Sequence, residues 1–120
     1  MLHGRRVLIV EDETLVAMEL ADIVEASRGE VIGPFRTNRD ALAALGRTRI
    51  DAAILDLNLA DGDATPTAER LVATRVPILI CTAGTFPRAM RTRWPDLPVH
   101  RKPIRGARLV AALSALCAPA

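Results

Sequence analysis

The 120-residue chain is long enough for one compact domain and leaves little room for a second. Half of its residues are apolar and a quarter are charged, a globular composition that argues against disorder. The apolar runs are only strand-sized, and the N-terminus lacks the apolar core of a signal peptide. We therefore expect a cytoplasmic protein that has no contact with a membrane.

The charge pattern argues against direct nucleic-acid binding. The 16 basic and 14 acidic side chains give a net charge of +2, and the arginines are spread along the sequence rather than clustered in a block. Aromatic residues, which stack on bases, make up only 2% of the chain. The two cysteines have neither metal-site spacing nor a disulfide framework. All the basic residues are arginine except Lys102.

Short apolar runs alternate along the chain with segments of helical periodicity. Such alternation predicts a parallel sheet covered by helices on both faces. Thr37 and Asp40 form a helix-start pattern, and prolines between residues 83 and 101 leave room for only a short fourth helix. The predicted elements are strand 7–10, helix 14–27, strand 30–33, helix 37–45, strand 52–57, helix 65–74, strand 77–81, helix 88–93, strand 99–101 and helix 105–116.

Acidic residues follow the first and third predicted strands. Glu11 and Asp12 come after the first strand, and Asp56 lies at the end of the third. In open α/β sheets the carboxyl ends of the strands form the ligand-binding edge, so these three carboxylates should repel one another there. A hard divalent cation relieves that repulsion, and Mg²⁺ fits best, with the carbonyl of Asn58 as a further oxygen ligand.

Groups that suit a phosphoryl group follow the fourth and fifth predicted strands. Lys102 supplies a positive charge, Thr82 a hydroxyl, and Ala83 and Gly84 supply backbone N–H groups. Phosphoryl transfer needs positioning and charge neutralisation more than covalent machinery, and a carboxylate can serve as the nucleophile. The set therefore predicts a site that forms an aspartyl phosphate.

Four segments in this order resemble the receiver domain of bacterial two-component response regulators. They are VLIVEDE at 7–13, AAILDLNL at 52–59, PILICTAG at 77–84 and RKP at 101–103. The resemblance implies a flavodoxin-like (βα)5 fold, a doubly wound five-stranded parallel sheet with strand order 2-1-3-4-5. It covers essentially residues 1–120 as a single receiver domain, which leaves no output domain in this chain. The loop at 60–66 and the weak fourth helix are similar to a subset of stand-alone receivers of alphaproteobacterial type.

The resemblance also implies a role for each acidic residue of the predicted site. Asp56 matches the phosphoacceptor, and Asp12 matches the direct Mg²⁺ ligand. Glu11 matches the acid that acts mainly through a metal-bound water, and Asn58 matches the residue whose backbone carbonyl completes the metal shell. Glu13 is not part of the acidic pair of the family, so we leave it outside the predicted site.

The remaining roles fall on the fourth and fifth strands. Thr82 matches the hydroxyl that turns toward the phosphoryl group, and the N–H of Ala83 is expected to bind that group. Lys102 matches the lysine that pairs with a phosphoryl oxygen, and Pro103 the proline whose peptide bond with that lysine is typically cis. Val99 is a departure, because receivers usually carry an aromatic switch residue at this position.

The sequence therefore predicts a signalling receiver that takes a phosphoryl group from a phosphohistidine and catalyses only its own phosphorylation and dephosphorylation. Its partners would be a sensor histidine kinase or histidine phosphotransfer protein and an unknown downstream protein, with the chain itself a monomer or weak dimer. One alternative is a receiver-fold interaction module that signals without phosphorylation. Another is a haloacid-dehalogenase-type phosphatase, which is disfavoured because Asn58 stands where such enzymes have a second acid.

Overall fold

A parallel sheet of five strands forms the centre of the structure, a computed structural model that describes residues 1–84 and 86–117. A small antiparallel hairpin of two strands follows the third strand of the chain. The seven strands are β1 (Arg6–Val10), β2 (Glu30–Phe35), β3 (Ala52–Leu55), β4 (Asn58–Leu59), β5 (Gly62–Asp63), β6 (Ile78–Thr82) and β7 (Val99–Arg101). The order in the main sheet is β2-β1-β3-β6-β7, which confirms the predicted doubly wound architecture.

Helices cover both faces of the sheet. The five helices are α1 (Thr14–Ala26), α2 (Asn38–Leu45), α3 (Thr65–Ala73), α4 (Arg88–Arg93) and α5 (Gly106–Cys117). Side chains of α1 and α5 pack on one face of the sheet, and side chains of α2, α3 and α4 belong to the apolar cluster on the other. The fourth helix has six residues, as short as the prolines around it predict.

The central strands β1, β3 and β6 are almost entirely apolar, and their apolar side chains are buried on both faces of the sheet. In β1, Val7 and Ile9 join the cluster on the α1 and α5 side, whereas Leu8 and Val10 join the opposite cluster. Each buried aliphatic side chain of this size contributes roughly 1.5–3 kcal/mol relative to exposure. Within the described parts of the chain, no helix combines the length and apolar character needed to cross a bilayer.

Three local features differ from the predicted elements. Strand β3 ends at Leu55 rather than at residue 57. Strand β2 continues past Gly33, where the sequence predicted its end, and runs through a cis Gly33–Pro34 peptide bond to Phe35. A side chain at Gly33 would not fit, because its φ is 104° and an added Cβ would lie 2.9 Å from the backbone nitrogen of Phe35. The hairpin of β4 and β5 was not predicted, and its turn lies at residues 60–61.

Candidate functional site

Backbone hydrogen bonds bring the carboxyl ends of β1, β3, β6 and β7 to one edge of the sheet. The N–H of Asp56, the residue directly after β3, donates to the carbonyl of Val10 at the end of β1 over 2.9 Å. The N–H of Lys102 donates to the carbonyl of Thr82 over 3.0 Å. These hydrogen bonds fix the backbone at the strand ends, so the side chains of the residues there are held at the same edge of the sheet.

The three predicted carboxylates meet at this edge. Glu11, Asp12 and Asp56 each place a carboxylate oxygen within 4.8 Å of the others. Glu11 and Asp56 are buried, and Asp12 is half-buried. Clustered anions with little access to water are unfavourable unless cations compensate for them. The arrangement therefore requires positive charge.

Lys102 supplies part of that charge. Its Nζ lies 2.5 Å from Glu11 Oε1 and 3.4 Å from Asp56 Oδ2, and its side chain is only 10% exposed. Burial by itself would lower the pKa of this ammonium group, but the neighbouring carboxylates of Glu11 and Asp56 outweigh burial and raise the pKa above its ordinary value. Lys102 is therefore fully charged at neutral pH and lies between the two buried acids.

Glu11 is the most deeply buried of the three acids. Burial raises its pKa to about 7, although the bond to Lys102 acts in the opposite direction. Its Oε2 accepts a hydrogen bond from the N–H of Glu13 over 3.1 Å. Its Oε1 is buried and, among the described residues, accepts no hydrogen bond of good geometry even though Lys102 is close. A buried oxygen of this kind, in a set of three carboxylates, fits a hard divalent cation such as Mg²⁺.

The backbone around Asp56 and Thr82 supplies further polar contacts. Asp56 Oδ1 accepts a hydrogen bond from the N–H of Leu57 over 2.8 Å. The Thr82 side chain is buried, and its Oγ1 accepts a hydrogen bond from the N–H of Gly84 over 3.2 Å. A Cβ added to Gly84 would lie 3.7 Å from the side-chain nitrogen of Asn58, so the loop after β6 comes close to the loop after β3.

A buried polar network holds the hairpin that carries Asn58. The Asn38 side chain donates to Asp61 Oδ1 over 3.2 Å and to the carbonyl of Asp63 over 2.9 Å, and it accepts from the Thr67 hydroxyl over 2.6 Å. Asp61 also accepts the N–H of Asn38, and hydrogen bonds from the start of α2 lower the pKa of its carboxyl. The sequence did not reveal this network, because its partners come from three separate segments.

The remaining predicted residues lie on or next to the strands that carry Thr82 and Lys102. The Lys102–Pro103 peptide bond is cis. Ala83 directly follows Thr82 and is exposed, and Val99 lies on edge strand β7, 39% exposed. Glu13, which the sequence analysis left outside the site, has a carboxylate oxygen 3.9 Å from Lys102 Nζ in addition to its backbone bond to Glu11.

Comparison with known proteins agrees with this geometry. The response regulator receiver domain family matches residues 7–113, nearly the whole chain. The chain belongs to this family. Receiver domains of this kind are parts of signalling regulators rather than metabolic enzymes. Receivers bind Mg²⁺ in an acidic pocket, and Glu11, Asp12 and Asp56 form an acidic cluster in this chain.

Relatives of this receiver domain include much longer regulators. The chain is 31% identical over 80 residues to the transcriptional regulatory protein PdtaR of Mycobacterium tuberculosis, covering 66% of the chain and 39% of PdtaR. It is 38% identical over 80 residues to the phyllosphere-induced regulator PhyR of Methylorubrum extorquens, covering 64% of the chain and 30% of PhyR. The receiver domain thus spans well under half the length of these relatives.

A solved structure matches the receiver domain over its full length. The solution structure of SdrG from Sphingomonas melonis Fr1 is 38% identical with a TM-score of 0.82, and the match covers 98% of this chain and 100% of SdrG. The BeF₃-activated conformation of SdrG from Pseudomonas melonis Fr1 is 40% identical with a TM-score of 0.77, covering 94% and 96% of the two chains. Both matches therefore extend over nearly the whole of this chain.

Proposed function

We propose that this receiver domain accepts a phosphoryl group on Asp56 from a phosphohistidine of a sensor histidine kinase or histidine phosphotransfer protein. The modified domain then acts in the cytoplasm as a switch on a downstream protein. The observation that carries this proposal is the position of Lys102, whose ammonium group lies between the buried carboxylates of Glu11 and Asp56. A cation held there can pair with whichever anion the site contains, including an incoming phosphoryl group.

The chemistry follows from a carboxylate nucleophile with fixed surroundings. An oxygen of Asp56 forms a bond to phosphorus while the P–N bond of the phosphohistidine breaks, and the released imidazole nitrogen takes up a proton. The N–H of Leu57 orients the carboxylate through its 2.8 Å hydrogen bond to Oδ1. Water later hydrolyses the acyl phosphate and returns the Asp56 carboxylate, so the domain changes only its own phosphorylation state.

The acidic residues would hold Mg²⁺ through the side chains of Glu11, Asp12 and Asp56 and the backbone carbonyl of Asn58. When bound, Mg²⁺ offsets the negative charge that accumulates on the phosphoryl oxygens. Three carboxylates within 4.8 Å and the unsatisfied Oε1 of Glu11 support this assignment. The polar network around Asn38 supports it as well, because it fixes the hairpin that carries Asn58.

Thr82, Ala83 and Lys102 would bind the oxygens of the transferred group. Thr82 ends β6, and its hydroxyl has a hydrogen to donate because the observed contact with Gly84 uses the oxygen as acceptor. The N–H of Ala83 lies in the same exposed loop. We expect Thr82 to turn toward the phosphoryl group and Lys102 to move from Glu11 to a phosphoryl oxygen.

Intact-mass spectrometry with a small phosphodonor tests the proposal. Incubation with acetyl phosphate and Mg²⁺ should add one phosphoryl mass to the wild type, and chelation of Mg²⁺ should abolish the gain. The Asp56→Asn variant should show no gain, whereas Asp96→Asn, which alters an exposed acid outside the site, should behave as wild type. A wild type that gains no mass, or an Asp56→Asn variant that gains it undiminished, would contradict the proposal.

A phosphorylation-independent interaction module remains the second candidate function. The observation in its favour is Val99, an exposed aliphatic residue where receivers usually have an aromatic switch. Beryllofluoride, which mimics a phosphoryl group bound to a carboxylate, separates the two candidates. If the proposal holds, beryllofluoride and Mg²⁺ should shift the amide NMR signals of β6 and β7. A module that does not respond would show changes confined to the residues next to Asp56.

A further inference from the structure

One peptide group in the loop after β1 is held on both sides. The N–H of Glu13 donates to Glu11 Oε2 over 3.1 Å. The carbonyl of Asp12, which belongs to the same peptide group, accepts a hydrogen bond from Arg36 Nε over 3.2 Å. A peptide group is planar, so partners for both its donor and its acceptor fix its orientation. The backbone that carries the Asp12 side chain is therefore oriented by a residue outside the acidic cluster.

Arg36 lies where three segments of the chain meet. It directly follows Phe35, the last residue of β2, which pairs with the end of β1. The carbonyl of Arg36 accepts a hydrogen bond over 3.0 Å from the N–H of Ala60, in the turn of the β4–β5 hairpin. The side chain of Arg36 thus contacts the loop that carries Asp12, and its backbone contacts the hairpin that carries Asn58.

The guanidinium group of Arg36 is not held by an ion pair. Among residues 1–84 and 86–117, no carboxylate lies within salt-bridge distance of it, whereas Arg6 pairs with Glu30 at 2.9 Å. Within the same part of the chain, the hydrogen bond to the Asp12 carbonyl is the one polar contact of the Arg36 side chain. The effect of replacing this side chain should therefore report on that hydrogen bond.

We propose that Arg36 is a positioning residue for the Mg²⁺ site, an inference that rests on the metal binding included in the proposed function. Its Nε orients the Asp12–Glu13 peptide group. This orientation places the Asp12 carboxylate, and it supports the Glu11 carboxylate through the N–H of Glu13. Ligands that are held in place before the metal arrives bind it more tightly, because less of the chain has to be ordered on binding.

The charge of Arg36 and its hydrogen bond act in opposite directions on Mg²⁺ affinity. A cation close to the acidic cluster repels Mg²⁺, so loss of the charge alone should tighten Mg²⁺ binding. Loss of the hydrogen bond should weaken it. Two variants of similar side-chain length separate these effects. Arg36→Met removes both the charge and the donor, whereas Arg36→Gln removes the charge but keeps an N–H donor at the same number of bonds from Cα as arginine Nε.

Calorimetric titration of the full chain with Mg²⁺ tests the proposal. We expect Arg36→Met to bind Mg²⁺ at least about fivefold more weakly than wild type and Arg36→Gln to stay within about twofold of it. The matched control Arg39→Met removes another exposed cation, at the start of α2, and should also stay within about twofold because salt screens exposed charges. Unchanged or tighter binding by Arg36→Met, or an equal loss in Arg36→Gln or Arg39→Met, would overturn the proposal.

The amide proton of Glu13 reports on the oriented peptide group directly. In the metal-free protein, Arg36→Met should move this NMR signal upfield, because loss of the bond to the Asp12 carbonyl weakens donation from the Glu13 N–H to Glu11. Arg36→Gln should leave the signal close to its wild-type position. A signal that does not move in Arg36→Met would show that the peptide group is oriented without Arg36 and would refute the proposal.

The Mg²⁺ dependence of phosphorylation distinguishes positioning from general damage to the fold. With acetyl phosphate, Arg36→Met should need about fivefold more Mg²⁺ than wild type for the half-maximal rate but should reach the wild-type rate at saturating Mg²⁺. A lower rate at saturation would contradict a role confined to the metal site. A wild type that binds Mg²⁺ but gains no phosphoryl group would contradict the proposed function alone, because calorimetry still tests Arg36. A wild type that binds no Mg²⁺ would overturn both.

Discussion

Replacement of Lys102 by methionine removes the ammonium group that lies between two buried carboxylates and keeps a side chain of similar length. Removing one partner from a buried ion pair costs about 3–5 kcal/mol when the remaining charge stays buried without a partner. Here Glu11 is about 1% exposed and Asp56 about 5% exposed, so water offers little compensation. We expect the variant to fold but to be about 3 kcal/mol less stable than wild type at pH 8.

The destabilisation by Lys102→Met should depend on pH, because a buried carboxylate that takes up a proton loses its unfavourable charge. Burial already raises the pKa of Glu11 to about 7 while Lys102 lowers it, so loss of Lys102 should raise this pKa further. A carboxyl whose pKa is higher in the folded than in the unfolded protein loses stability as pH rises, by about 1.4 kcal/mol per unit over that interval. In wild type this loss ends near pH 7, whereas in the variant it continues above pH 7. Between pH 7 and pH 8 the extra loss in the variant is at most about 1.4 kcal/mol, so at pH 5.5 we expect the difference from wild type to shrink from about 3 to about 1.6 kcal/mol.

Urea denaturation in metal-free buffer, followed by the fluorescence of Trp94, measures these free energies of unfolding at pH 5.5 and pH 8. The matched control is Arg105→Met, which removes an exposed cation three residues away and should change stability by less than about 0.5 kcal/mol. A destabilisation by Lys102→Met that is the same at both pH values, or no larger than that of the control, would refute the electrostatic account of this site.

Three further predictions concern the same edge of the sheet. Because Glu11 has a pKa raised to about 7, Mg²⁺ affinity measured by calorimetry should fall below pH 7, and Glu11→Gln should flatten this dependence; an unchanged profile would exclude Glu11 from the metal site. Lys102→Arg keeps the charge but replaces a compact ammonium with a planar fork, so beryllofluoride should cause smaller amide shifts in β6 and β7 than in wild type; equal shifts would show that charge alone suffices. Asn38→Ala removes the buried hydrogen bonds to the hairpin and should lower the free energy of unfolding by about 2 kcal/mol. Amide hydrogen exchange at residues 58–63 should become faster. Unchanged exchange there would show that the hairpin is stable without Asn38.

Much of the fold could be predicted from local patterns. The continuous apolar runs of β1, β3 and β6 indicate burial on both faces, and the helical periodicity between them implies crossovers. The structure has all five predicted helices, and Thr37 accepts the expected capping hydrogen bond from the N–H of Asp40 over 3.1 Å. Two predictions failed. The extension of β2 past Gly33 depends on pairing of Phe35 with the distant Val10, and the β4–β5 hairpin has strands of only two residues, too short to produce a recognisable pattern.

The sequence by itself determined which chemical groups the site contains. Strand-end positions in a parallel sheet share one edge, so Glu11, Asp12, Asp56, Thr82 and Lys102 could be assigned to one site before any distance was known. These assignments follow from topology, which the apolar runs encode directly.

Only the tertiary structure decided how these groups share charge. The pairing of Lys102 with both Glu11 and Asp56 depends on side chains that follow three different strands, and the burial of the Glu11 carboxylate is encoded by no local pattern. Electrostatic interactions act through space rather than along the chain, so their consequences appear only after the chain has folded.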